Sequence, residues 1–477
     1  MCALNEAKGM DAYMERIIMH IDVNNAFLSW TALYLLQNGS KYDIRNSYAV
    51  IGGSELTRSG IVLAKSTPAK KLGIKTGETL YEARKKCKVL RTYPPNYKFY
   101  QEMSKKLFNL ISKYTPDIEV ASVDECYLDY TKIRKMQGDP LDFAKKIQKE
   151  IYDELGFTVN IGIANNKLCA KMASDFTKPY KIHTLYYEEI KEKMWPLEVG
   201  DLFGIGKKTV PKLKKLNIFT IKDLAKTTSE ILYPYFKNQA QAMINWANGI
   251  DNSPVISIPP EPKGIGNEIT LEKDTNDIIK LNEYLLFLSE KVGLRLRKQN
   301  KYANVIVVIL KDNTFKKYSH QKKLETATND STEIYEKAKK ILKEIYNGED
   351  IRLIGVRLDN LTEKKIKQVS IFDQEEDHEI DKVLDEINIK YGTVIKKASL
   401  VNKKYKNNKL KDWQKKEIKV LFTYIKETYY GRKMQKIWVI GNKKIWFKRN
   451  NRTMPYNGIW LHGRLPRSNT KSAWRNN

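Results

Sequence analysis

Ala121-Ser122-Val123-Asp124-Glu125-Cys126-Tyr127-Leu128-Asp129 sets two adjacent carboxylates into a segment that otherwise reads as β-strand. The alternating run Ile118-Glu119-Val120-Ala121 precedes the acids and Tyr127-Leu128 resumes it, which predicts a hairpin with Asp124 and Glu125 at or beside its bend. Neighbouring like charges repel, so both stay ionised at neutral pH only if solvated or neutralised by a cation. Oxygen-only ligands suit a hard cation, Mg²⁺ or Mn²⁺, rather than zinc. A solvated turn is the plainer reading of the same residues, and the rest of the chain has to decide between the two.

Upstream, Arg16-Ile17-Ile18-Met19-His20-Ile21-Asp22 is a short apolar run ending in an acid, the look of a buried strand that delivers a carboxylate to its end. Asp22 is the candidate third ligand; a strand ended by a capping Asp is the alternative. Val23-Asn24-Asn25-Ala26-Phe27 follows, where strand gives way to a helix over Phe27 to Gln37, and backbone N–H groups at such a junction can hold phosphate. Farther on, a strand (Ile61 to Ala64) leads into a short basic helix with Lys70 and Lys71 that stops at Gly73. Those lysines suit a triphosphate or, equally, a solvated face. An amphipathic helix over Tyr100 to Tyr114 enters the acidic hairpin; a helix at 141–155 and a strand at Val159 to Ile163 follow it. The next helix is predicted to end at Lys178, because Pro179 disfavours the α conformation before it.

Downstream, Gly204-Ile205-Gly206-Lys207-Lys208 has the helix-hairpin-helix pattern, a glycine turn that turns backbone N–H groups toward phosphate with lysines behind it. Such an element reads the nucleic-acid backbone and not its sequence. After a Pro-rich linker around Pro254 to Pro262, the order strand, helix, strand, strand, helix, strand runs from Ile265 to Leu358. This βαββαβ order predicts a four-stranded sheet with two helices on one face and charged positions on the other. Gln368-Val369-Ser370-Ile371-Phe372 is an isolated apolar stretch that reads as a docking peptide or as a strand end, and 376–400 reads as helical.

The 477-residue chain carries a net charge of +29, which calls for a polyanionic partner. Residues 404–477 hold 20 Lys and Arg against 3 Asp and Glu, so this tail is far more basic than the body; it also holds five of the eight tryptophans, and its last forty residues show no steady period of 2 or 3.6. No apolar run approaches the roughly 20 residues of a membrane span and no signal segment opens the chain, so the expected location is the cytoplasm. Four scattered cysteines and five histidines without zinc spacing argue against a disulfide scaffold or a zinc site.

With these motifs in view, residues 16–372 resemble the Y-family of translesion DNA polymerases, its DNA polymerase IV and UmuC-like group. The resemblance rests on Ile21 to Phe27, the Gly60 to Gly77 block, Ser122-Val123-Asp124-Glu125, Lys178-Pro179, Gly204-Ile205-Gly206 and Ile351 to Leu358, all in the family's order. It implies an α+β right-hand polymerase. A ferredoxin-like palm would span 1–32 and 89–183, small fingers 33–88, a helix-hairpin-helix thumb 184–258 and a little finger 259–361. A clamp-binding peptide and helical linker (362–403) and the basic tail (404–477) would follow. The implied activity is template-directed addition of dNTPs to a primer 3′-OH, at low fidelity and across lesions in DNA repair.

Residue by residue, the resemblance implies that Asp22, Asp124, Glu125 and the Val23 carbonyl hold two Mg²⁺ (or Mn²⁺). Phe27 falls on the steric-gate position; Asn25, Ala26, Thr67, Lys70 and Lys178 would meet the nucleotide. Gly204, Gly206, Lys207 and Lys208 would meet DNA, and Gln368, Ile371 and Phe372 a sliding clamp. The implied partners are primer-template DNA, dNTP and the clamp, with no membrane and a monomeric enzyme.

Three positions depart from the family pattern. Asn24 stands where a second acid is often seen, Thr67 and Lys70 replace a frequent Tyr and Arg, and the tail matches nothing in the family. A lysine at 70 lacks the bidentate fork of arginine, so a looser grip on phosphate is expected. Two rivals remain on residues alone: another palm-type nucleotidyltransferase, against which the duplex-gripping elements argue, and a non-catalytic DNA-binding accessory factor.

Overall fold

In the computed structural model the strand that ends in an acid forms as β1 (Ile18–Val23), buried along its whole length. Residues 16–54 and 60–363 are described, together with three short strands beyond them. The chain divides into two units, Met1–Glu261 and Pro262–Asn477.

In the first unit β1 turns through Asn25, left-handed at φ 52°, into α1 (Ala26–Gln37). Next come β2 (Ala49–Gly52), β3 (Val62–Lys65), α2 (Thr67–Lys71), α3 (Leu80–Lys86) and β4 (Arg91–Tyr93). Their small sheet, ordered β3-β2-β4, closes its own cluster of Val50, Val62, Ala69, Ile74 and Leu80. The Ser66 hydroxyl caps α2 by accepting from the Ala69 N–H, and Gly73, at φ 78°, lies just beyond its end.

α4 (Tyr97–Ser112) buries the row Tyr100, Met103, Leu107, Leu110 and Ile111, spaced at helical period. β5 (Ile118–Val120) and β6 (Glu125–Asp129) are the predicted hairpin, with Asp124 in its bend and Glu125 opening the second strand. α5 (Arg134–Gln137) and α6 (Pro140–Leu155) follow; α6 starts on an Asp139 cap with Pro140 in its first turn and stops at Gly156. β7 (Val159–Ala164), α7 (Lys167–Asp175) and β8 (Ile182–Leu185) complete a sheet ordered β5-β6-β1-β7-β8.

This sheet is covered on both faces. Met19, Ile21, Ile161 and Ile163 join the core that includes Tyr100, Leu107, Phe143, Ile147 and Ile151 of α4 and α6. The other parity of β1, Ile18, His20 and Asp22, faces α7. That helix lies so close to β7 that a Cβ on Gly162 would stand 2.0 Å from the Ala170 carbonyl oxygen. α7 ends at Asp175, earlier than the sequence predicts, and the carbonyls of Ser174 and Thr177 accept from the Asn160 side chain instead of continuing a helix.

Beyond β8, α8 (Val210–Lys214), α9 (Ile221–Lys226), α10 (Ser229–Phe236) and α11 (Gln239–Ala247) pack around Leu213, Ile218, Ile221, Leu224, Leu232 and Met243. Thr220 and Asp223 form a capping box that starts α9.

The second unit has the predicted order: β9 (Gly264–Thr275), α12 (Ile278–Lys298), β10 (Tyr302–Asp312), β11 (Lys317–Thr328), α13 (Ser331–Ile345) and β12 (Ile351–Thr362). Its sheet, ordered β11-β10-β12-β9, is antiparallel throughout. Ile306, Val308, Leu310, Val356 and Leu358 share one core with Leu285, Val292 and Ile341 of the two helices. The opposite parity carries Lys323 and Gln321 on β11, Arg357 on β12 and Glu268 on β9. The expected charge is interrupted on β10, where that face presents Val307 and Ile309, both buried.

Farther along, β13 (Ile395–Lys397), β14 (Trp438–Ile440) and β15 (Lys443–Ile445) pair antiparallel in that order. Ile395–Lys397 is thus strand within a stretch expected to be helical. Gln368, Ile371 and Phe372 and the rest of the 404–477 tail lie outside the described residues.

Candidate active site

Register brings the acids to one end of the sheet. Asp22 and Glu125 are directly opposed across β1 and β6, and the Val23 N–H donates to the Asp124 carbonyl at 3.0 Å. Side chains opposed in this way stand about 5 Å apart at Cβ. Asp124, in the bend, accepts from the Ser122 hydroxyl at 2.6 Å.

Positive groups answer each buried charge. The Lys178 ammonium donates to Asp22 and lies 2.8 Å from Asp175. Lys171 donates to Glu125 at 2.9 Å and stands 3.5 Å from Asp175. Burial pushes the Asp22 carboxyl above its ordinary value although Lys178 works against it, whereas His20 and Lys171 hold Glu125 down at about 2. Burial pulls Lys178 down, but Asp22 and Asp175 outweigh it and keep the ammonium above its ordinary value. His20, fully buried, is held below its ordinary value by desolvation; its Nδ1 meets the Ser174 hydroxyl at 2.8 Å and its Nε2 lies 3.8 Å from Glu125.

Among the described residues no three His, Cys, Asp or Glu side chains converge as a formed metal group. Asp22 is turned to Lys178, Glu125 to Lys171 and Asp124 to Ser122. The donor set, carboxylates plus the Val23 carbonyl, is oxygen-only and fits a hard divalent cation. Two ammonium groups supply the charge that the opposed acids demand.

Beside this edge Phe27 is half-buried and rigidly backed. Its ring stacks on Tyr100 at 4.7 Å and 9°, Tyr97 meets it edge-on at 6.2 Å, and the Tyr100 hydroxyl is tied to Thr31 at 2.6 Å. Asn25 and Ala26 form the junction into α1. Thr67 and Lys70 lie exposed on α2, and burial together with the neighbouring Lys70 lowers the Lys65 ammonium. In the helical part Gly204 adopts φ 94°, and a Cβ there would stand 2.9 Å from the Trp246 ring, so glycine is required twice over. Ile205 is buried as the anchor of the turn, which leaves Gly206, Lys207 and Lys208 exposed.

Sequence reasoning missed His20, Lys171, Ser174 and Asn160. Lys171 had a usable signal: it falls within the otherwise apolar or small run Leu168 to Ser174, where a lysine needs a buried partner.

A five-stranded sheet with helices on both faces and acids at one end of its inner strands has the architecture of a polymerase palm. The impB/mucB/samB family profile matches residues 21–175, its C-terminal domain 262–371 and its HHH motif 187–218. The DNA polymerase IV of Clostridium acetobutylicum is 48% identical over 398 residues, covering 82% of this chain and 100% of the relative. That of Alkaliphilus oremlandii is 36% identical over 405 residues, covering 82% and 100%. Among solved structures, a Y-family DNA polymerase chimera matches at TM-score 0.63 and 25% identity, covering 72% of this chain and 98% of that one. The chain belongs to the Y-family of translesion DNA polymerases. It is a DNA-directed DNA polymerase that acts on DNA and dNTPs, and members of this family are metal-dependent. Among the described residues no helix is long and apolar enough to cross a membrane.

Proposed function

We propose that Asp22, Asp124 and Glu125, with the Val23 carbonyl, hold two divalent ions, Mg²⁺ or Mn²⁺, at the shared end of β1 and β6. Bound there, the ions would lower the pKa of the primer 3′-OH and neutralise the departing pyrophosphate. The observation that carries the reading is the register pairing of Asp22 with Glu125, with Lys178 on the same end of the sheet.

The protein's own residues then bind and orient. Lys178 exchanges Asp22 for the triphosphate, and Lys70 adds a single-point contact from α2. Asn25 and Ala26 present the strand-to-helix junction to phosphate. Phe27, unable to retreat because Tyr100 is stacked behind it, excludes a ribose 2′-OH. Gly204, Gly206, Lys207 and Lys208 grip the DNA backbone, and the open face of the second sheet grips duplex. Gln368, Ile371 and Phe372 dock a monomeric enzyme on a sliding clamp, which raises its effective concentration at the primer end.

The test is primer extension on undamaged and lesion-bearing templates, with Mg²⁺ and then with chelator. Incorporation that survives complete chelation would overturn the metal assignment, while DNA binding measured alongside keeps that result apart from loss of the complex.

A further inference from the structure

We propose that Asn24 and Asn160 form a buried two-amide clasp that positions Lys178 for the triphosphate, an inference that rests on the role of Lys178 proposed above. Asn160 on β7 is 0% exposed and Asn24 6%. Asn24 Nδ2 donates to Asn160 Oδ1 at 3.0 Å. Asn160 Nδ2 donates to the carbonyls of Ser174 at 3.0 Å and Thr177 at 2.6 Å, while its Oδ1 also accepts from the Lys181 N–H at 3.1 Å. Asn24 Oδ1 accepts from the Tyr180 N–H at 2.9 Å. Each amide's orientation is set by backbone groups that can only donate or only accept.

The segment carrying Lys178 is therefore fastened at Ser174 and Thr177 on one side and at Tyr180 and Lys181 on the other. The anchors are a central strand and the residue two places after Asp22. Lys178 itself is left out of the clasp, so its ammonium can leave Asp22 while its backbone stays in register with the acids. The clasp requires an amide at 24. A carboxylate has no N–H to give, and it would face Asn160 Oδ1 acceptor to acceptor in a buried site, where an unpaired polar group is costly. Asn24 and Asn160 are positioning residues that act through Lys178.

The experiment measures single-nucleotide insertion by the full chain, with kcat, the KM for dNTP and the DNA Kd read separately, for Asn160→Ala, Lys178→Met and the double variant. Each single change is expected to raise the KM for dNTP on the order of tenfold with kcat and DNA Kd little changed, as loss of uniform nucleotide binding does. The double variant should be no worse than Lys178→Met within about twofold, since the two act as one unit. Multiplicative effects, or an unchanged KM in Asn160→Ala while Lys178→Met raises it, would refute the clasp alone. An unchanged KM in Lys178→Met would instead remove the role of Lys178, and the clasp's purpose with it. If Asn160→Ala does not fold, the isosteric Asn24→Asp carries the same test: a raised KM that vanishes against a Lys178→Met background supports the clasp, and an unchanged KM overturns it.

Discussion

The two large sheets solve opposite problems. The palm sheet has helices on both faces, so β1 and β7 are buried end to end and a charge is tolerated only at the strand tips, with a partner. Asp22 and Glu125 sit there against Lys178, Lys171 and His20. Among the described residues the sheet of the second unit has helices on one face, and it carries Lys323, Gln321, Arg357 and Glu268 exposed on the other. One sheet therefore concentrates a few paired charges at its strand ends, and the other carries Lys323, Arg357 and Glu268 exposed on its face. Under the function proposed above, the chemistry belongs to the first sheet and phosphate contact without sequence preference to the second.

The contrast breaks most sharply at the acids. Asp124→Ala or Glu125→Ala should lower incorporation by about 10³-fold, the equivalent of several kcal/mol of lost charge stabilisation, with DNA Kd unchanged. Extension at the wild-type rate by either variant would return the acids to a solvated turn. Next in size is a packing effect that only a doubly covered sheet can show. Gly162→Ala forces a Cβ to within 2.0 Å of the Ala170 oxygen and 2.5 Å of the Ser174 nitrogen, both backbone atoms that cannot swing away. It should destabilise by about 2 to 3 kcal/mol. Gly266→Ala on the singly covered sheet meets chiefly the Arg357 side chain, at 3.0 Å, and should cost about 1 kcal/mol or less. Equal unfolding midpoints for the two variants would erase the distinction.

Phe27→Ala should shift the rNTP/dNTP preference on the order of tenfold, because the ring is held by stacking and its loss leaves space for a 2′-OH. A ratio that does not move in single-turnover insertion would send the gate elsewhere. The smallest effect is expected on the open face. Lys323→Ala should weaken DNA binding slightly and reduce the salt slope by about 1, leaving the unfolding midpoint and the rate at saturating DNA unaltered. A change in that rate would mean the open face contributes to chemistry.

The chain itself declared its elements and its acids. Periodicity marked β1, α4, α6 and the whole βαββαβ order, and Asp124-Glu125 stood out because adjacent carboxylates in a strand-like segment demand an explanation. These features are local: a period of 2 or 3.6, a cap or a glycine is written in a few consecutive residues. What only the tertiary structure decided was pairing across distance. Nothing near residue 171 or 178 says that those lysines neutralise Glu125 and Asp22, and nothing near Asn24 says that its amide meets Asn160. Those partners are brought together by the register of β6, β1 and β7 and by the close approach of α7 over Gly162. A buried polar group is satisfied by whatever the fold sets within about 3 Å of it, and sequence separation plays no part in that distance.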